Sequence, residues 1–263
     1  MQPLDEFPDQ ARRAVRGVLL DIDDTLTTDG RLTAEAYAAM QRLQASGKLV
    51  VPVTGRPAGW CDHMARMWPI DAIVGENGAF YFRYDVETKR MHRHYHAPAE
   101  DIAANRAKLA TIGAQIVAAV PGSAIAADQA YRETDLAIDF CEDVPALDAA
   151  AIARIVELME AAGMTAKVSS IHVNGWFGTY DKLTMIRRLF ADVFEIGLDA
   201  EKSAFVFVGD SPNDQPAFAY FPHAVGVANV GDFAAQLTSP PAFVTEARAG
   251  DGFVELADLI LAD

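Results

Sequence analysis

The run Val18-Leu19-Leu20-Asp21-Ile22-Asp23-Asp24-Thr25 constrains this chain more than any other stretch. An apolar segment of strand type stops at three carboxylates within four positions. Carboxylates so crowded repel one another and raise each other's pKa unless a cation or hydrogen-bond donors compensate. The expected compensator is a hard divalent cation, because hard cations take oxygen ligands. A single Asp would need no ion, since Asp is a favoured turn residue. Three at the end of one strand read as a metal and phosphate site.

Around this run, short apolar strands alternate with helices, which is the pattern of an α/β domain. Residues 1–14 read as a loose leader. A strand over 15–20 is followed by a helix over Ala34–Ala45, with Thr33 as N-cap and Gly47 as its stop. The next strand, 49–53, contains Pro52, which cannot donate a ladder bond, so a bulge is expected there. Trp60, Met64 and Met67 at helical spacing read as core packing, and 72–74 as a third strand. From residue 79 the pattern changes to a hairpin, 80–84 and 91–95. His92, His94 and His96 share one face of its second strand. With no second ligand cluster in view, that face reads as solvated and not as a transition-metal site.

The segment 98–176 reads as helix 101–118, strand 136–141, helix 147–162 and strand 165–173. Its elements do not end in carboxylate or Gly-rich loops, so it is taken as an inserted second α/β domain. The first pattern then resumes with a helix over 181–191 carrying an apolar stripe. A strand over 205–208, short strands at 224–227 and 243–244, and a terminal helix over 252–261 complete it. The expected organisation is a Rossmann-like parallel-sheet core (15–97 and 177–263), an inserted α/β cap (98–176) and an N-terminal extension (1–14).

In an open parallel sheet, ligands bind at the carboxyl ends of the strands, near a topological switch point. Four strands here end in polar loops: Asp21 to Thr25, Thr54-Gly55-Arg56, Glu76-Asn77-Gly78, and Gly209-Asp210-Ser211-Pro212-Asn213-Asp214. Brought to one edge, they would pool five carboxylates from the two Asp-rich loops, a hydroxyl, an Arg and several Gly-freed amides. A divalent metal with a phosphoryl group fits that inventory. The net charge of −15 would repel a phosphate backbone, which argues against nucleic acid as a partner. An anionic substrate must then be held by local positive charge or metal. No run reaches the length of a membrane span, and residues 1–10 are acidic and proline-bearing, unlike a signal peptide. Two cysteines, Cys61 and Cys141, provide neither a disulfide framework nor zinc spacing, so a cytoplasmic setting is expected.

These motifs resemble the haloacid dehalogenase superfamily, and within it the Cof-like phosphatase branch that includes sucrose-phosphate phosphatases. The match is Asp-x-Asp-x-Thr at Asp21, Asp23 and Thr25, the strand-end Thr54, Lys182 after the insertion, and Gly-Asp-Ser-Pro-Asn-Asp at 209–214. The resemblance implies Asp21 as nucleophile, forming an aspartyl-phosphate. It implies Asp23 as general acid and then base, with its backbone carbonyl ligating the ion. Asp21, Asp210 and Asp214 would ligate Mg²⁺. Thr54 and Lys182 would hold the phosphoryl oxygens, where transition-state charge accumulates. Thr25, Gly55, Arg56 and Asn213 complete the phosphate-binding set; Arg56 either meets the phosphate or braces its loop.

The implied function is a Mg²⁺-dependent phosphatase acting on a small phosphorylated metabolite. A phosphosugar mutase shares the chemistry and would be recognised by a product phosphorylated at a new position. A dehalogenase is disfavoured because Asp23 has no role in displacing halide. The alternative of another class is a binding protein that keeps the fold. A cysteine-phosphatase loop at Cys61 and Arg66 is one residue short of its spacing and lacks the Gly-rich turn, so Cys61 reads as a buried thiol. In the cap, Ser170, His172, Asn174 and Trp176 alternate with Ile171, Val173 and Gly175. This places a polar-aromatic face where hydroxyls of a sugar or polyol phosphate could be read.

Overall fold

The computed structural model describes residues 1–262. Its central sheet is six-stranded and parallel, in the order Gln2–Pro3, Phe243–Val244, Val225–Gly226, Phe205–Gly209, Gly17–Leu20, Leu49–Pro52. Both faces of the sheet are covered, which explains why its strands read as continuous apolar runs. Val18 and Leu20 pack into one cluster with Val206 and Val208. Leu19 enters the opposite cluster with Val51, Phe205 and Phe207. All eight are fully buried, along with Val50, and each contributes about 1.5–3 kcal/mol by leaving water.

The chain leaves the Gly17–Leu20 strand toward Leu49–Pro52 on one side and returns much later as Phe205–Gly209 on the other. The order therefore reverses between Gly17–Leu20 and Phe205–Gly209. That crevice is where the carboxyl ends of an α/β sheet bind ligands. Asp21 and Asp210 are the first residues past the two strands that flank it.

Residues 99–176 build a second sheet, antiparallel, in the order Thr165–Val168, His172–Trp176, Asp135–Asp139, Ala124–Ile125. Helices Ala99–Ala119 and Ala149–Ala161 supply its core through Leu109, Ile116, Ile155 and Met159, packed with Leu136, Ile138 and Val173. A third sheet joins Ile73–Gly75 to the expected hairpin, Phe80–Asp85 and Arg90–Tyr95. Among the described residues, no helix is long and apolar enough to cross a membrane.

Four expectations are corrected. Residues 1–14 are not a loose leader: Gln2–Pro3 pairs with Phe243–Val244, and Leu4 and Phe7 are buried, Phe7 with its ring 4.8 Å from that of Phe243. Pro52 makes no bulge. It lies in register with Leu20, on the strand at the sheet's end, and alternation turns its nitrogen away from that partner. Trp60 and Met67 are largely exposed, and only Met64 of the three is buried. The single strand expected over 165–173 is two strands, with Ser169 turning the chain by bonding the His172 carbonyl.

The second sheet is tied to the first through Glu76, which is fully buried. Its carboxylate accepts from the backbone of Ala58, Glu133 and Thr134 at 2.9, 2.9 and 2.7 Å, and also from the Thr134 hydroxyl. Removing it would strand three backbone donors in a dry interior. We expect Glu76→Ala to lower the free energy of unfolding by about 2–4 kcal/mol. Urea denaturation would check this, and an unchanged midpoint would contradict the anchoring role.

Candidate active site

Asp21, Asp210 and Asp214 converge at the crevice, each offering a carboxylate oxygen, with these oxygens all within 4.8 Å of one another. All three are buried. Asp214 arrives from the turn that follows the Phe205–Gly209 strand, and its Oδ2 accepts from the Asp210 amide at 3.2 Å. Glycine at 209 is what permits this approach, since a Cβ there would stand 2.3 Å from Asp214 Oδ2.

Lys182 is the counter-charge. Its Nζ donates to Asp21 Oδ1 at 2.6 Å and to Asp214 Oδ1 at 2.9 Å. Asp181 caps the helix Lys182–Val193 by accepting from the Thr184 amide. The backbone of Gly78, at φ +102°, lies close against this helix start; a Cβ there would meet the Asp181 carbonyl at 2.1 Å. An ammonium at a helix N-terminus opposes the helix dipole, and the two carboxylates provide the compensating anionic partners.

One ammonium does not neutralise three buried carboxylates. Burial pushes the Asp21 carboxyl up to about 8, with Lys182 opposing the shift and Asp214 and Asp23 adding to it. Burial likewise pushes Asp210 up to about 9, with Asp21 and Asp214 adding to it. Burial alone would lower the pKa of Lys182, but Asp21 and Asp214 outweigh it and hold the ammonium charged. Such a site either keeps protons or takes a cation. Three oxygen donors with small separations fit a hard divalent ion, Mg²⁺ included.

The remaining predicted residues fall around this triad. Thr25 donates its hydroxyl to Asp210 Oδ1 at 3.2 Å. Thr54 is fully buried, and its hydroxyl accepts from the Arg56 amide at 3.0 Å. The Gly55 carbonyl accepts from Arg132 at 2.9 Å. Asn213 is engaged by the Ser211 hydroxyl at 3.0 Å and not by Asp210. The Asp23 side chain stands outside the triad, gripped by Arg56 Nε at 2.9 and 3.1 Å.

Arg56 is buried and braced on every side. Besides Asp23, it holds Glu142 at 2.9 Å and Asp128 at 3.5 Å, and its guanidinium lies 4.7 Å from the Trp60 ring centroid. From the second sheet, His172 and Asn174 line the same narrow cavity, of about 20 Å³, as Asp21, Asp23 and Asp210. Ser170 hydrogen-bonds Asp24 at the cavity's edge. Asn174 donates to Asp135 at 3.1 Å. The polar face of the His172–Trp176 strand is therefore buried over the site.

Sequence reasoning missed Asn229 and Arg132. Asn229 Nδ2 donates to Asp210 Oδ2 at 3.3 Å and to the Asp24 carbonyl at 2.9 Å, and its Oδ1 accepts from Ala249. It follows the Val225–Gly226 strand, so a fifth polar strand end was available as a signal. Arg132 carried no comparable signal, because Asp128 and Asp135 are its near neighbours in sequence while Gly55, the partner that brings it to the site, comes close only in the folded chain. On the histidine face, His94 stacks on Tyr81 and His96 lies 5.1 Å from Tyr180. Cys61 is buried, with burial raising its thiol pKa.

Residues 18–134 match the haloacid dehalogenase-like hydrolase family. The chain is 27% identical over 241 residues to a phosphoglycolate phosphatase of Haloarcula marismortui, covering 90% of this chain and 94% of that one. It is similar in fold to a Thermoplasma acidophilum protein, at TM-score 0.69 and 16% identity over 94% of this chain and 98% of that one. It is also similar to a phosphatase of the haloalkanoate superfamily from Bacteroides thetaiotaomicron, at TM-score 0.59 and 20% identity over 96% of both. A parallel sheet with its acidic triad at the switch point accords with these likenesses: residues 18–134 match the haloacid dehalogenase-like hydrolases, and the relatives the chain is similar to include phosphatases.

Proposed function

We propose that the enzyme hydrolyses a small phosphate monoester through an aspartyl-phosphate on Asp21, with Mg²⁺ as cofactor. The reading rests on one observation above all: Asp21, Asp210 and Asp214 share a buried crevice in which Lys182 bridges two of them. Asp21, Asp210, Asp214 and the Asp23 backbone carbonyl would hold the ion. When bound, it would neutralise the carboxylates and the phosphoryl oxygens, so that an anionic nucleophile can approach an anionic ester.

The Asp21 carboxylate forms a bond to phosphorus while the bond from phosphorus to the leaving alkoxide breaks, and Asp23 supplies the proton that alkoxide needs. Arg56, bonded to both Asp23 oxygens, fixes where that carboxyl points. In the second half, Asp23 takes a proton from water, the oxygen bonds to phosphorus, and Asp21 is released with inorganic phosphate. Lys182 and Thr54 hold the phosphoryl oxygens as charge builds on them. Asn229 and Thr25 orient Asp210.

In this reading residues 98–176 act as a cap over a core formed by 15–97 and 177–263. The phosphoglycolate phosphatase likeness supports a small ester, and the hydroxyl-reading face supports a sugar or polyol phosphate. Inorganic phosphate release across a panel of both kinds, with and without Mg²⁺, tests the proposal.

Three outcomes are expected. Asp21→Asn lowers kcat by about 10³-fold or more, measured by phosphate release; retention of activity would remove Asp21 as nucleophile. Dialysis against EDTA abolishes turnover and added Mg²⁺ restores it, with circular dichroism unchanged throughout. Asn229→Ala weakens Mg²⁺ by about 10–100-fold in calorimetry, since groups that orient a metal ligand carry that share of affinity.

A further inference from the structure

Glu142 holds a position that its own loop does not require. Its backbone is fixed by Asp139, whose carboxylate accepts from the amides of Cys141, Glu142 and Asp143 at 2.9, 2.8 and 2.8 Å. Its side chain, 30% exposed, reaches inward and places Oε1 2.9 Å from Arg56 Nη2 and Oε2 2.9 Å from His172 Nε2. Arg56 and His172 line the cavity that holds Asp21. Glu142 is not among the residues lining it and meets the pair from the rim.

The fit of Glu142 to this pair is incomplete. His172 is 2% exposed, and its Nε2 is buried without an aligned hydrogen-bond partner despite the short distance to Glu142. A buried ring nitrogen left this way is costly, and an acceptor arriving at a better angle would relieve it. His172 and the Arg56 guanidinium hold the Glu142 carboxyl down at about 2, so it is an anion here. A buried guanidinium beside an imidazole, facing one cavity, is a fork suited to a carboxylate.

We propose that Arg56 and His172 form a carboxylate-reading pair for the substrate, and that Glu142 is a built-in occupant of it that swings to solvent when a carboxylated phosphate ester enters. This rests on the phosphatase reading and narrows it to small esters carrying an acid group. Exchange of one carboxylate for another leaves the charge at Arg56 balanced. A neutral ester offers no such exchange, and Glu142 stays. Asp23 keeps its grip on Arg56 throughout, so orientation of the acid–base residue is unaffected.

Phosphoglycolate and ethyl phosphate test this, since both are two-carbon esters and they differ in the carboxylate. Calorimetry with Mg²⁺-loaded Asp21→Asn protein measures binding without turnover, and wild-type kinetics measure kcat/KM. Phosphoglycolate should be preferred by about tenfold or more in both. Adding Glu142→Gln should raise the ratio of phosphoglycolate to ethyl phosphate affinity by about 3–10-fold, by removing the competing anion. Adding His172→Ala should move the ratio toward one. Equal affinity for the two esters, or a ratio that Glu142→Gln leaves unchanged or lowers, overturns the proposal. Absence of turnover of either ester by the wild type would instead defeat the phosphatase reading, while calorimetry still decides the role of Glu142.

Discussion

The repulsion among Asp21, Asp210 and Asp214 is the constraint that the rest of this molecule answers. Each lies at the end of a buried strand or in the turn after one, where water cannot screen it. Lys182 answers part of the charge, and donors from Thr25, Asn229 and the Asp210 amide answer part of what remains. The residual negative charge is what suits the crevice to a cation. A chain with net charge −15 that handles anionic esters must concentrate its positive charge locally, and the cavity does this with Lys182, Arg56 and Arg132.

Each cation is in turn held by carboxylates from a different part of the chain. Lys182 joins the Gly17–Leu20 and Phe205–Gly209 strand ends. Arg56 joins the first strand end to the loops of the second sheet through Asp23, Asp128 and Glu142. Arg132 joins the Gly55 carbonyl to Asp128 and Asp135. Glu76 performs the same service with opposite sign, collecting amide donors from the start of the Ala58–Met67 helix and from the loop before the Asp135–Asp139 strand. Packing density between the two sheets is thus accompanied by a chain of buried, mutually satisfied charges. Breaking one partner of such a pair costs more than the pair itself contributes.

Much of the fold was legible because its signals are local. Strand runs such as Phe205-Val206-Phe207-Val208, the Thr33 cap and the Gly47 stop each depend on a few consecutive residues. The four polar strand ends were legible together because parallel topology forces them to one edge. What failed did so where the deciding contact is distant. Residues 1–14 looked loose because their partner strand lies some 240 positions away. Trp60 looked like core because helical spacing does not say which face a neighbour covers; it lies largely exposed against Arg56 instead.

The sequence by itself determined the acidic triad, its lysine and the α/β class, because strand-end chemistry and apolar periodicity are written in short runs. Only the tertiary structure decided that Asn229 steadies Asp210, that Arg132 locks Gly55, and that His172 and Asn174 line the cavity of Asp21 instead of facing solvent. Those facts depend on how two sheets are set against each other. That placement is fixed by buried charges such as Glu76 and Arg56, whose partners are scattered along the chain and carry no pattern until it folds.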